Sequence, residues 1–137
     1  MRTYCDLKIL SLNCCGVKKK LNYSEFQELV KEQDIVCLQE TKTDDLDVIE
    51  IDGYEIKMKN RVKYGRVNSG GIILAYKQEL SEFINIHETE SKAVLWFEIS
   101  KQLTNYEKNL LIGIVYLPPE NSKYSNRDSL NMIELEM

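Results

Sequence analysis

Asp34-Ile35-Val36-Cys37-Leu38-Gln39-Glu40-Thr41 is the stretch that decides how this chain is read. Four apolar residues run directly into the polar pair Gln39-Glu40, with Lys42 just beyond. A short apolar run bounded by polar groups fits a strand buried on both faces and is too short for a typical helix. Such a strand has no reason to end in a carboxylate unless that end opens on a site. The plainer alternative makes Glu40 the first solvated residue after the strand, which is where most carboxylates sit.

Towards the N-terminus, Leu7-Lys8-Ile9-Leu10-Ser11-Leu12 reads as a second buried strand, ending at the turn Asn13-Cys14-Cys15-Gly16. The basic cluster Lys18-Lys19-Lys20 follows. Ser24 is placed to cap a helix with Glu25 and Glu28 in its early turns and Phe26, Leu29 and Val30 on its apolar face, stopping near Gln33. The order strand, helix, strand over the first 41 residues makes the two strands parallel. Asn13 and Glu40 then lie at one C-terminal sheet edge, where open α/β sheets tend to place their sites.

Towards the C-terminus, Asp44 to Asp47 forms an acidic loop, Asp52-Gly53 a turn, and Tyr54 to Met58 a strand with one wet face. Lys57, Lys59, Arg61, Lys63 and Arg66 then occur with no acidic residue among them, a local positive patch around Tyr64 that reads equally as a solvated hairpin loop. Asn68-Ser69-Gly70-Gly71 opens the strand Ile72 to Tyr76, and the paired glycines permit close backbone approach to a neighbouring strand or to a phosphate. Further strands are expected at Phe83–His87, Ala93–Ile99 and Leu110–Tyr116, the last stopped by Pro118-Pro119. A helix is expected over Asn126–Glu136.

The 137 residues fit one domain or part of a larger one, with 43% apolar and 29% charged residues, a composition that argues against disorder. Two prolines and six glycines leave no flexible linker. The net charge of −4 does not by itself point to nucleic acid. The longest apolar run, Leu110 to Leu117, is too short to span a bilayer, so no membrane association is expected. The opening residues Met1 to Asp6 lack a signal-peptide layout, so an intracellular location, nuclear or cytoplasmic, is expected. The four cysteines (Cys5, Cys14, Cys15, Cys37) then read as reduced thiols, without the paired spacing of a zinc site.

Three expected strands end in polar groups able to share a site: Asn13, Glu40 and Tyr116. His87 is the sole histidine and nothing pairs it with a nucleophile, so covalent triad chemistry is disfavoured. A carboxylate beside an amide suits a hard cation: Mg²⁺ keeps most of its waters and takes one or two carboxylates plus phosphate oxygens. A lysine cluster and glycine turn at the same edge suit a phosphodiester backbone.

The order Leu12-Asn13-x-x-Gly16, Cys37-Leu38-Gln39-Glu40-Thr41, Ser69-Gly70-Gly71 and Val115-Tyr116-Leu117-Pro118 resembles the endonuclease/exonuclease/phosphatase superfamily. Tyr116-Leu117-Pro118-Pro119-Glu120-Asn121-Ser122 looks like the form in the abasic-site-like endonucleases of non-LTR retrotransposons. The resemblance implies an α/β fold of the deoxyribonuclease type, a sandwich of two mixed sheets flanked by helices. It implies a Mg²⁺-dependent DNA endonuclease, with Mn²⁺ as an alternative metal and DNA as partner. Glu40 would hold the metal, Asn13 would belong to the polar cluster around the scissile phosphate, and Tyr116 would orient that phosphate. Lys18, the Ser69-Gly70 backbone and Arg61 of the positive patch would fall to the DNA.

Two positions depart from the pattern. Cys15 stands where some members carry a second metal-site acid, and Pro119 where others have asparagine. The Gly-Asp-x-Asn and Ser-Asp-His strings of the family's second half, which hold the water-activating aspartate and the histidine, are not in these 137 residues. The expectation is therefore a single partial domain over residues 1–137, roughly the N-terminal half, inactive or nearly so by itself. The competing readings are a non-catalytic interaction module associating through an uncovered sheet face, and a small-phosphoester phosphatase on the same metal site.

Overall fold

The computed structural model describes residues 6–61 and 70–117, together with Ile133 and Glu136. The chain runs β1 (Ile9–Asn13), α1 (Val17–Lys20), α2 (Ser24–Lys31), β2 (Ile35–Gln39), β3 (Tyr54–Lys59) and β4 (Ile72–Lys77). A 3₁₀ segment (Gln78–Phe83) leads to β5 (Ile84–His87), β6 (Val94–Ile99), α3 (Lys101–Thr104) and β7 (Leu110–Val115). One sheet has the order β1-β2-β4-β3 and the other β5-β6-β7. β1 and β2 are parallel, with Asn13 opposite Gln39, as the strand–helix–strand order requires. β4 runs antiparallel to both β2 and β3, and all pairs of the second sheet are antiparallel. This is an α/β sandwich of two packed sheets.

The four apolar residues of β2 are explained by two cores. Successive side chains of a strand point to opposite faces. Val36 and Leu38 pack with Phe26 and Val30 of α2, Cys14, Val17, Ile73 and Ala75. Ile35 and Cys37 face the other sheet, against Leu95, Phe97, Ile99 and Ile114. Burying each such aliphatic side chain is worth about 1.5–3 kcal/mol. Both faces of β2 are therefore claimed, and its register cannot slip by one residue without exchanging one core for the other. The Cys37 thiol, buried in the second core, has its pKa pushed up to about 12 by desolvation.

α2 differs from expectation at its start. Tyr23, not Ser24, occupies the N-cap, with no side-chain cap; Ser24 is the first helical residue and its hydroxyl donates to Glu25 Oε2 at 3.4 Å. Phe26 and Val30 are buried, but Leu29 remains 36% exposed, so the apolar stripe is the narrow i, i+4 pair. The C-terminal end is held instead by Tyr54, whose buried hydroxyl lies 2.6 Å from the Gln33 carbonyl and 2.9 Å from that of Val30. Replacing Tyr54 by Phe leaves two helix-end carbonyls without that donor. A loss of about 1–2 kcal/mol in urea unfolding is expected; a change below a few tenths would show that water satisfies both carbonyls.

The positive run that begins at Lys57 is only partly a solvated patch. Lys59 is 8% exposed and donates to the Val94 carbonyl (2.8 Å) and Thr89 Oγ1 (2.9 Å), tying β3 to the start of β6. Burial holds its ammonium pKa below the ordinary lysine value. Lys57 is ion-paired with Glu88 at 2.5 Å. Long lysine stems cover apolar surface while their heads find partners, which charge counting along the sequence does not register. Lys63, Tyr64 and Arg66 lie outside the described residues.

Of the expected C-terminal helix, Ile133 and Glu136 are described, both helical. Ile133 packs with Ala93, Val94 and Trp96, and Glu136 accepts from the Trp96 indole (3.0 Å) and the Ser91 amide (3.1 Å). Pro118, Pro119 and Asn121 lie outside the described residues.

Candidate active site

The ends of β1 and β2 and the start of β4 are joined by main-chain hydrogen bonds that continue past the strands. Gly16 N–H donates to the Glu40 carbonyl (2.8 Å) and Val17 N–H to that of Thr41 (3.0 Å). On the other side, Thr41 N–H donates to the Gly71 carbonyl (3.2 Å) and Lys42 N–H to that of Gly70 (2.8 Å). The close approach that the paired glycines permit is thus made to the turn after β2. At Gly71 (φ +93°) an added Cβ would run into Thr41 Oγ1.

This turn is strained. Cys15 (φ 46°), Glu40 (φ 53°) and Lys42 (φ 54°) all occupy the left-handed region, and Asn105 is the only other non-glycine residue to do so among the described residues. Each such conformation costs about 1–3 kcal/mol and persists where the surroundings over-determine it. Here the surroundings are buried polar groups. Thr41 and Thr43 hydroxyls lie 2.8 Å apart, Thr43 donates to Asn60 Oδ1 (2.7 Å), and Asn60 donates to Asp45 Oδ1 (2.9 Å). Thr41, Thr43 and Asn60 are all buried. Nothing in the residue types announces these left-handed positions, and sequence reasoning missed them along with the threonine–asparagine network.

Asn13 sits at the end of β1 with its side-chain oxygen accepting from the Cys15 amide at 3.2 Å, a local turn. The Lys42 ammonium donates to Cys15 Sγ at 3.6 Å, so the position expected to hold an acid in some family members carries a thiol beside a cation. Across the molecule, Tyr116 follows β7, its amide bonded to the Ala93 carbonyl at 2.9 Å. Asn13, Ser11 and Gln39 from one sheet and Ile112, Ile114 and Tyr116 from the other line one groove of about 530 Å³ between the sheets.

Tyr116 reports what surrounds it. Burial first, and the Glu40 carboxylate second, push its phenol pKa above the ordinary value; Arg61 and Lys42 pull it back and Cys15 adds to the rise. The phenol is thus a neutral hydrogen-bond donor across the physiological range. The Arg61 guanidinium lies 5.5 Å from the centre of its ring, within reach of a cation–π contact. The fold therefore brings Glu40, Tyr116 and Arg61 into one electrostatic cluster, with Asn13 on the same groove. It does not do so for Lys18, whose ammonium is paired with Asp47 at 3.2 Å. Gly70 lies against Arg61, and Ser69 is outside the described residues.

The donor set bears on a metal. Among the described residues no group of three or more histidine, cysteine or acidic side chains is gathered to hold one. Glu40 supplies one carboxylate, which fits a hard cation shared with a phosphate and water, since Mg²⁺ needs only one or two protein carboxylates.

The sequence model of the Endonuclease/Exonuclease/phosphatase family matches residues 10–106. The chain belongs to this family. The match spans Asn13, Glu40, Arg61 and Gly70 and ends before Tyr116. Membership makes the chain part of a group of phosphodiester and phosphoester hydrolases that generally use divalent metal ions and commonly act on nucleic acid. No curated protein matches the chain. No described helix is long and apolar enough to cross a membrane.

Proposed function

We propose that these residues form one side of the catalytic site of a Mg²⁺-dependent DNA endonuclease of the retrotransposon type. The observation that carries this reading is that Asn13, at the end of one sheet, and Tyr116, after the last strand of the other, line one inter-sheet groove, with Glu40 following directly on the groove-lining Gln39. A phosphodiester in that position meets a carboxylate able to share a metal with it and a neutral phenol able to donate to a non-bridging oxygen. Asn13 lends an amide to the same phosphate, and Arg61 contributes positive charge. When bound, Mg²⁺ would neutralise charge developing on the phosphate.

Among the described residues that line the groove there is no base for the attacking water. His87 does not serve: it lies on β5, the far strand of the second sheet, exposed and 3.4 Å from Glu98. The base belongs to the family strings that are not in these 137 residues, and the chain by itself is inactive or nearly so.

The test has two parts. Mg²⁺ is expected to tighten binding of a DNA duplex by roughly fivefold, and Glu40→Gln to remove that gain; a duplex affinity indifferent to Mg²⁺ sinks the metal-site reading. Supercoiled plasmid incubated with the chain and Mg²⁺ is expected to remain supercoiled. Nicking that disappears in Glu40→Ala would overturn the prediction of inactivity.

One feature favours association as a second role. Among the described residues, β1 and β7, the strands bordering the groove, each have a single ladder neighbour, and Ile9, Leu110, Leu111, Val115 and Leu117 on or beside them are 37–48% exposed. Unpaired edges with apolar side chains invite another chain. Sedimentation velocity should show self-association, and a strict monomer at high concentration counts against it.

A further inference from the structure

Arg61 is held on three sides. Immediately before it, Asn60 is bonded to Thr43 and Asp45, which fixes the end of β3 to the loop that begins at Glu40. Its guanidinium carbon is 5.5 Å from the Tyr116 ring centre. The same guanidinium lies against Gly70, where a built Cβ would come within 3.0 Å of Nε and 3.2 Å of Cζ. Gly70 also has φ +66°, so a side chain there is disfavoured twice over, by conformation and by the arginine it would meet.

Resting on the phosphate-site reading above, we propose that Arg61 is the positioning residue for Tyr116, and that Gly70 is glycine because it seats the arginine. A planar guanidinium over the ring face restrains the phenol and polarises it, which makes its hydroxyl a stronger donor. The glycine turn before β4, the end of β3 and the end of β7 are thereby coupled through one side chain. Substrate need not touch Gly70 for a change there to be felt at Tyr116.

The test uses the full chain labelled with 3-fluorotyrosine, the Tyr116 resonance being assigned by its disappearance in Tyr116→Phe. Arg61→Met and Gly70→Ala should each shift that ¹⁹F resonance, and the double variant should move it no further than Arg61→Met alone, because both act through one contact. Arg61→Lys keeps the charge without the planar stack and should fall between wild type and Arg61→Met. Duplex affinity in Mg²⁺ should drop roughly fivefold in Arg61→Met. A Tyr116 resonance unmoved in Arg61→Met, with the melting temperature unchanged, overturns the proposal, as does a double variant whose shift is the sum of the singles. If the variant shifts appear as expected but duplex leaves the wild-type resonance unmoved, the Arg61–Tyr116 coupling stands and the phosphate-site reading falls.

Discussion

Gly71→Ala is expected to lower the stability of the fold by about 4 kcal/mol, a large part of the margin of a small domain. Two costs add. Gly71 has φ +93°, a conformation that an L side chain adopts at about 1–2 kcal/mol. The added methyl also runs into Thr41 Oγ1 and comes within 3.4 Å of Thr43 Oγ1, in a part of the molecule where Thr41 is fully buried. Relief requires moving Thr41, whose amide is bonded to Gly71 itself and whose hydroxyl feeds the Thr43–Asn60–Asp45 chain. Overpacking of this kind costs about 1–3 kcal/mol and a broken buried hydrogen bond about 1 more. Gly53→Ala provides the control. Gly53 shares the left-handed conformation (φ +83°), but nothing lies within 4 Å of an added Cβ. It should cost only the conformational part, about 1 kcal/mol. Urea midpoints at constant slope measure both. Equal losses at the two positions would show that the contact with Thr41 relaxes freely.

Asp34→Ala is expected to cost about 3 kcal/mol. Asp34 precedes β2 and is 4% exposed. One carboxylate oxygen accepts from the Lys8 amide at 2.9 Å, and the other is 3.1 Å from the Lys77 ammonium. Its own amide donates to the Lys8 carbonyl and its carbonyl accepts from the Lys77 amide, so the residue fastens the beginnings of β1 and β2 to the end of β4. Alanine leaves an amide and an ammonium without their acceptor. The Lys77 side chain retains 24% exposure, so water recovers part of the loss and the cost stays below that of breaking a fully buried pair. Asp34→Asn keeps an acceptor for Lys8 and gives up the charge, and should cost about half as much. Should asparagine prove as damaging as alanine in the same unfolding experiment, the ion pair with Lys77 carries the stabilisation and the Lys8 bond does not.

The elements that sequence made legible are those written as an unbroken apolar run. β2 was readable because four consecutive apolar residues have few alternatives to burial on both faces, and the parallel crossover from β1 follows from chain order alone. β4 and β6 were readable for the same reason, and β7 from its apolar run although only Ile114 in it is buried. The sheet order was not: β4 lies between β2 and β3, and no local pattern says which of two antiparallel neighbours a strand takes. The cap of α2 was misassigned because serine at a helix start satisfies the statistical rule, while the chain uses Tyr54, twenty-odd residues on, to secure the opposite end. The site divided similarly. Asn13, Glu40 and Tyr116 stood out as polar groups at strand ends. The lysines of the positive run did not reveal that Lys57 and Lys59 have structural partners while Arg61 stacks on Tyr116, since those partners come from distant segments.

The main-chain bonds linking Gly16, Glu40, Thr41, Lys42, Gly70 and Gly71 have one more implication. They involve no side-chain atoms, so the platform under Glu40 is indifferent to which functional group stands on it, provided the glycines and the buried Thr41–Thr43–Asn60 network remain. Acids, amides and thiols standing on such a platform can be exchanged one at a time, changing the chemistry while the main-chain bonds stay. Cys15, whose thiol lies beside the Lys42 ammonium, stands at one of the positions where the side chain can change while those bonds stay.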